Sequence, residues 1–258
     1  IIGARVNNYL VGFGRKIGPD PSSISAAMMG GILSNNASGM CCGTQFNSYH
    51  TIRHIRFILP NGNFFSTEIH DDYTRFEKEE GALFEGLLSL RHKILGNDVL
   101  LQKIRHKYLI KNTIGYALNA FLDYAHPLDI FAHLLIGAEG TLAFIAEAIM
   151  ETIPDQPFKA TAMLYFTDIR EACKAIEPLA AAGAAMVELM DRASLRAVEN
   201  IDGIDPYISQ LPASASALLV EFQADNQNAL TASVDSFLQG FSAFSLLKFP
   251  SFSMAEKE

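Results

Sequence analysis

Gly30-Gly31-Ile32-Leu33-Ser34-Asn35-Asn36-Ala37-Ser38-Gly39 sets three glycines around an Asn pair. Glycine lets a backbone approach a ligand closely and reach positive φ. Asn side chains and exposed backbone N–H groups supply donors for phosphate oxygens. Pro19, Asp20 and Ser22 stand just upstream, in Gly18-Pro19-Asp20-Pro21-Ser22-Ser23. Together these residues have the make-up of a loop that wraps a pyrophosphate, with a helix end or turn facing the anion. A tight structural turn uses the same residue types, so the loop alone does not separate the two readings.

A second such segment lies about a hundred residues on, at Gly137-Ala138-Glu139-Gly140-Thr141-Leu142. Gly140 permits another close backbone approach, and the neighbouring amides are ligand donors. Glu139 would serve equally as a strand cap. Asn112, Thr113, Gly115 and Tyr116 form a polar loop between helical stretches, with Tyr116 equally suited to packing.

The remaining chemistry-bearing residues exclude more than they suggest. Cys41, Cys42 and Cys173 give neither a disulfide framework nor zinc-ligand spacing, and a reducing compartment follows. Adjacent free cysteines are more often inert small hydrophobes than redox groups. His50 and His54 fall in a stretch that reads as a strand, which would set them about 13 Å apart and beyond one ion. No metal site is expected. The net charge of −8 and the absence of a dense Lys/Arg stripe argue against nucleic acid. No run of eighteen apolar residues exists, so no membrane span is expected. Nor is a signal peptide visible.

Several elements must position these loops. An apolar start, to about Phe13, reads as a strand. A helix is expected from Pro21 or Ser22 to Met29, stopped by Gly30-Gly31. Tyr49 to Leu59, Asn61-Gly62 and Asn63 to Thr67 read as a β-hairpin. One helix is expected over Phe76 to Leu95, with Glu77 to Glu80 in its first turn and Asp71-Asp72 in a charged loop before it. Helices from Asn97 to Tyr108, over Ala117 to Tyr124 and at Pro127 follow, then a long strand over Thr141 to Ile153. Pro154 and Pro157 mark a boundary, giving domains over 1–155 and 156–258. The second part reads β-α-β, a short insertion, then β-α-β, ending on a strand over Phe244 to Phe249. That order implies a split βαβ, ferredoxin-like layer. The fold class is α+β.

Both glycine segments resemble the flavin-binding domain of the vanillyl-alcohol oxidase family. Its GG-x-x-x-x-NA-x-G pattern is met at Gly30, Gly31, Asn36, Ala37 and Gly39, and its G-[SA]-EGTL pattern at Gly137 to Leu142. The order and separation of the two also agree. Gly14-Arg15-Lys16-Ile17-Gly18-Pro19-Asp20-Pro21, Met40-Cys41-Cys42-Gly43-Thr44, Asn47-Ser48-Tyr49 and Lys111-Asn112-Thr113-Ile114-Gly115-Tyr116 resemble one branch. In it, a D-lactate or D-2-hydroxyglutarate dehydrogenase is fused to an iron–sulfur region. Two departures stand out: Met28-Met29 precede the glycine pair where relatives often carry a small hydroxyl residue or His, and Gln45-Phe46 replace a common Tyr-Gly.

The resemblance implies the second part of an FAD-binding domain followed by a partial substrate cap. It implies FAD as cofactor, held by Pro19, Asp20, Ser22, Gly30, Gly31, Asn35, Asn36, Ala37, Gly39, Glu139, Gly140 and Thr141. Asn112, Thr113 and Tyr116 would lie near the flavin ring. The implied parent oxidises a D-2-hydroxy acid (D-lactate, D-2-hydroxyglutarate or glycolate) to the 2-oxo acid. Its electrons pass to an iron–sulfur region or a quinone, in the cytoplasm or peripheral to the inner membrane. The family's first flavin subdomain, its substrate-binding Arg and its His-rich metal segment have no counterpart in these residues, so no catalytic residue is assigned. The alternatives are a non-redox flavoenzyme of the same fold, as in ether-lipid synthesis, and a non-catalytic interaction module. The chain by itself is expected to bind FAD weakly or not at all and to be inactive. A yellow purified chain, or dye reduction with D-lactate, would refute that.

Overall fold

The computed structural model describes residues 1–240 and 244–256. The chain divides into two compact units, 1–155 and 156–258.

The first unit opens on helix α1 (Gly3–Leu10), not a strand. Val6 and Leu10 are four apart and share its half-buried face. Asn7, on that same face, accepts the Ile17 N–H through its side-chain oxygen at 2.9 Å. β1 (Arg15–Ile17) follows. Residues 22–26 form turns rather than the expected helix. The helix comes later, as α2 (Met29–Asn35), and takes the glycine pair into its first turn. Its end is set by Asn36 in the left-handed region at φ 50°. Glycine is the poorest helix former after proline and favours a stop here, but the buried pair Ile32 and Leu33 anchors the turn that contains it.

A helical turn, α3 (Ser48–Thr51), is capped by the Asn47 side chain and precedes β2 (Ile52–Ile58). His50 therefore leaves the expected strand. β2 runs through the Asn61-Gly62 turn into β3 (Phe64–Ser66), with Ile58 opposite Phe64. The single helix expected after it is two, α4 (His70–Glu79) and α5 (Gly81–Leu95). Glu80 breaks them because its carboxylate is drawn aside, accepting the side-chain amides of Asn61 and Asn63, both at 2.7 Å. Asp71 and Asp72 are not a loop but the first turn of α4, where Asp72 accepts the Ser66 N–H at 2.7 Å. Next come α6 (Asp98–Lys107), α7 (Ala120–Asp123) and α8 (Pro127–Leu134). The long strand expected after them is split into β4 (Phe144–Met150) and β5 (Thr152–Pro154). β4 joins β2 and β3 in an antiparallel sheet of order β3-β2-β4, whereas β5 pairs with β1. Phe57, Phe65, Phe76, Leu128 and Ile130 form the fully buried heart of this unit.

The second unit runs β6 (Phe158–Phe166), α9 (Ile169–Ala181), β7 (Met186–Met190), α10 (Arg192–Val198), β8 (Ser216–Ala224), α11 (Gln227–Gly240) and β9 (Ser253–Glu256). Asp168 caps α9 through the N–H groups of Arg170 and Glu171. The sheet order is β7-β8-β6-β9, antiparallel throughout. Each βαβ unit thus has a strand of the other between its own two, which is the split βαβ, ferredoxin-like layer. The last strand is displaced. Residues 244–249 make only a bridge from Leu246 to Phe166, while β9 pairs with β6. Pro250 lacks a ladder donor, and Lys248 is held by Asp205 at 2.8 Å. Residues 241–243 lie outside the described residues.

Phe76 packs edge-on against Phe65 at 5.1 Å and also meets Phe84 and Phe131. Phe76→Ala is expected to cost about 3–5 kcal/mol in urea unfolding. A loss below about 1 kcal/mol would show that this aromatic cluster does not organise the first core.

Candidate functional site

The site is built on the C-terminal end of α2. A helix leaves its last carbonyls without internal partners. Here the Leu33 oxygen accepts the Gly137 N–H at 3.2 Å, and the Ser34 oxygen accepts the Glu139 N–H at 2.9 Å. Asn35 donates its side-chain amide to the Glu139 carboxylate at 2.6 Å. The backbone turns away from these bonds through left-handed residues, Gly137 at φ 86°, Glu139 at φ 53° and Gly140 at φ 72°. A Cβ built on Gly137 would stand 3.5 Å from that of Asn36. The two glycine segments therefore adjoin.

The third loop closes on them. Tyr116 shares a hydrogen bond with the Thr141 hydroxyl at 3.0 Å, and Lys111 donates to the Ser38 oxygen at 3.1 Å. Asn112, Thr113 and Gly115 line one cleft with Asn36 and Gly137. Asn35, Asn36, Asn112, Thr113, Tyr116, Glu139 and Thr141 are thus brought together, with Gly140 beside them. Gly30 and Gly31 sit at the other end of α2. Both are exposed, and a Cβ on either would meet nothing within 4 Å. The protein's own packing does not require glycine at these two positions.

Asp20 and Gly39 have a different setting. The Asp20 carboxylate accepts the N–H groups of Gly39, Cys41 and Cys42 at 2.8, 2.8 and 3.2 Å. A Cβ on Gly39 would fall 1.8 Å from the Asp20 carbonyl oxygen, so here glycine is required by close approach within the protein. Asp20 fastens the loop that Ala37 and Ser38 lead into. Pro19 is buried beside it, and Ser22 is exposed on the turn that follows.

Beneath the cleft lies a buried polar cluster that the sequence reading did not single out. Tyr49 donates its hydroxyl to Asp123 at 2.7 Å, and Asn119 donates its side-chain amide to the same carboxylate oxygen at 3.1 Å. His133 stacks on Tyr124 and meets Tyr49 edge-on. Burial, reinforced by the bond to Asp123, raises the Tyr49 phenol far above its ordinary range. Tyr124 is pushed up to about 12, mainly by burial. Both are neutral at physiological pH. The one local signal in the sequence was the four-residue spacing of Asn119 and Asp123. Cys42 is buried, and burial followed by the nearby Asp20 charge raises its thiol, so it stays protonated. Among the described residues, no group of three or more His, Cys, Asp or Glu stands ready to hold a metal ion. No helix among them is long and apolar enough to cross a membrane.

This arrangement fits a dinucleotide in one respect that can be checked on the structure. Bare backbone at Gly30 and Gly31 leaves open space, and further on Asn36 and the 137–140 turn adjoin on the same helix. The FAD binding domain family matches residues 1–68, and the C-terminal domain of FAD linked oxidases matches residues 155–258. D-2-hydroxyglutarate dehydrogenase from Pantoea ananatis is 27% identical over 160 residues, covering 60% of this chain and 15% of its own. The protein of the same name from Escherichia coli is 23% identical over 264 residues, covering 94% of this chain and 25% of its own. The chain thus spans a quarter or less of the length of these curated relatives. Among solved structures, alkyldihydroxyacetonephosphate synthase in two crystal forms shares the fold, with TM-scores of 0.59 and 0.57 at 15% identity. Those matches cover 98% and 94% of this chain, and 39% and 36% of the longer one.

Burial holds His133 below its ordinary pKa. The unfolded chain takes up that proton near pH 6.5 and the folded chain only lower, so the neutral ring contributes stability above that pH. This contribution is lost as pH falls through the folded value. The melting temperature is expected to drop between about pH 7 and pH 5, and His133→Gln to flatten the slope. An unchanged slope in the variant would remove His133 from the account.

Proposed function

Because the chain belongs to the FAD-linked oxidase family, we propose that it forms part of the cofactor site and part of the cap of an FAD-dependent dehydrogenase. Its substrate is a D-2-hydroxy acid, with D-2-hydroxyglutarate the first to test because both curated relatives carry that name. The observation that carries the proposal is the pair of backbone bonds that tie the 137–139 loop to α2, whose first turn leaves Gly30 and Gly31 open.

When bound, the flavin supplies the two-electron acceptor for hydroxy-acid oxidation. The residues of this chain bind and orient it. Gly30 and Gly31 admit the dinucleotide backbone against bare main chain. Asn36, Ala37 and the 137–140 turn hold donors beside it, and Asn35 and Glu139 brace one another. Asp20 acts at a distance by fixing the loop after Gly39. Asn112, Thr113 and Tyr116 close one side. The electron acceptor in this proposal is an iron–sulfur region or a quinone, on the branch resemblance alone.

The test is a titration of the isotope-labelled chain with FAD to about 1 mM, a range that registers weak binding. Amide shifts should cluster at residues 30–39 and 137–141. Gly31→Val should keep the melting temperature within about 2 °C, since valine is no worse than glycine in a helix and its side chain meets open space. The same variant should weaken FAD binding by about tenfold or more. Unchanged affinity would favour the non-catalytic module, and FAD-dependent shifts that avoid both segments would remove the cofactor site from this chain.

A further inference from the structure

Two imidazoles hold α8, and each must be neutral to do so. Every residue of this helix except Asp129 is buried. Pro127 opens it and has no N–H, so Leu128 carries the first donor that the helix itself cannot satisfy. His126 takes that donor through Nδ1 at 3.1 Å. A backbone N–H can only donate, so this Nδ1 is bare and the ring proton is on Nε2. Near the other end, His133 Nδ1 lies 2.8 Å from the Asp129 carbonyl oxygen. A carbonyl can only accept, so here Nδ1 carries the proton and Nε2 is bare. That Nε2 is buried and has no hydrogen-bond partner.

A proton added to His126 falls on the atom that caps the helix. The cap is lost, and the new charge faces the positive end of the helix dipole. A proton added to His133 falls on a buried nitrogen with nothing to accept it. The surroundings do not offset either cost. From α4, the Tyr73 ring meets His126 edge-on at 4.7 Å, and from α5 the Phe84 ring lies at 5.7 Å. Burial lowers the His126 pKa, and the charges of Asp129 and of Glu77 on α4 oppose this without reversing it. The Asp129 carboxylate is already bonded by the Tyr73 hydroxyl at 2.7 Å. Around His133, Tyr124 stacks at 3.8 Å and Tyr49 stands edge-on at 5.3 Å. α5 adds a cation nearby, Arg91, which donates to the Tyr124 oxygen at 2.9 Å. Burial lowers the His133 pKa against the charges of Asp129 and Asp123, and His50 on α3 lowers it further. Both rings thus hold a proton more weakly in the folded chain than in the unfolded one. Their contribution is complete above the ordinary histidine value and is lost as pH falls through the folded values.

α8 runs directly into the joint on α2. Past Leu134 the chain continues in bonded turns, with the Ile136 N–H on the His133 oxygen and the Ala138 N–H on the Leu135 oxygen, both at 3.2 Å. Within those turns, Gly137 and Glu139 donate to Leu33 and Ser34. We propose that α8 is an acid-sensitive lock on that joint. With His126 and His133 neutral, the helix is capped and the 137–139 turn stays on α2. With both protonated, α8 loosens and the turn lets go of α2, while the sheet of β2, β3 and β4 stays formed. The lock stands on the chain's own hydrogen bonds and does not rest on the FAD proposal.

The test is amide hydrogen exchange on the isotope-labelled chain between about pH 7 and pH 5, each rate referred to that of an unstructured chain at the same pH. The two imidazole titrations are followed by NMR on the same sample. Both rings should titrate below about 6.5. As they do, protection of the Leu128, Gly137 and Glu139 amides should fall by about tenfold. The Phe57 amide, in the buried sheet of the same unit, should keep its protection. His126→Asn supplies a cap that does not titrate, so Leu128 should stay protected at the acid end. His126→Asn joined to His133→Gln should hold Gly137 and Glu139 as well. The unchanged protein decides alone if the double variant does not fold. Either ring titrating at or above about 6.5, or protection of Gly137 and Glu139 that ignores pH, would overturn the proposal. So would a loss shared equally by Phe57, or one that persists in the folded double variant.

Discussion

Of the last carbonyls of a seven-residue helix, one finds its donor and a second gains one about a hundred residues away. Leu33 and Ser34 are bonded by Gly137 and Glu139, which completes α2 with main chain that arrives after six further helices. Such carbonyls need partners when they are not in water. Satisfying them from a distant loop makes the geometry of both segments interdependent. The left-handed conformations of Asn36 and Glu139 follow from that demand, because the chain must reverse within a few residues on either side of the joint. Outside glycine, such conformations are uncommon and need surrounding contacts to hold them. The Asn35 amide on the Glu139 carboxylate supplies one such contact, at 2.6 Å.

The glycines of the first loop serve two separate constraints. Gly39 is glycine because Asp20 leaves no room for a Cβ. Gly30 and Gly31 have open space around them, so the protein's own packing does not require glycine there. A motif that reads as one pattern in sequence thus separates into a half that packing requires and a half that it does not. Asp20 belongs with the required half, since its carboxylate is spent on three loop amides.

Beneath the loops, Asp123 gathers Tyr49 and Asn119 onto one carboxylate oxygen. Burial keeps the neighbouring Tyr49 and Tyr124 phenols and the His133 ring neutral, so this layer provides hydrogen-bond direction rather than charge. The second unit stands on a different arrangement, a four-stranded sheet whose two βαβ halves interlock, with Phe166, Leu164 and Leu218 fully buried under α9 and α11.

Much of this was legible in the residues alone. The α+β class, the Asn61-Gly62 hairpin, the restart of a helix at Asn97 and the split βαβ order all follow from local patterns, because turns, helix starts and alternation act over a few residues. The two glycine segments were also visible as chemistry before any fold was known. Tertiary contacts decided the rest. Gly30-Gly31 reads as a helix stop, yet buried Ile32 and Leu33 carry the helix through it. Glu80 has good helix propensity, yet two asparagine amides from the hairpin pull its carboxylate out of the helix line. Residues 244–249 have the composition of a strand, yet the place beside β6 goes to Ser253–Glu256. The cluster of Tyr49, Asn119, Asp123 and His133 is drawn from three separate elements, with Asn119 and Asp123 at the two ends of α7. Hydrogen bonds between residues so far apart in the chain leave no periodic trace in it, and only the packing of helix against loop brings them to one place.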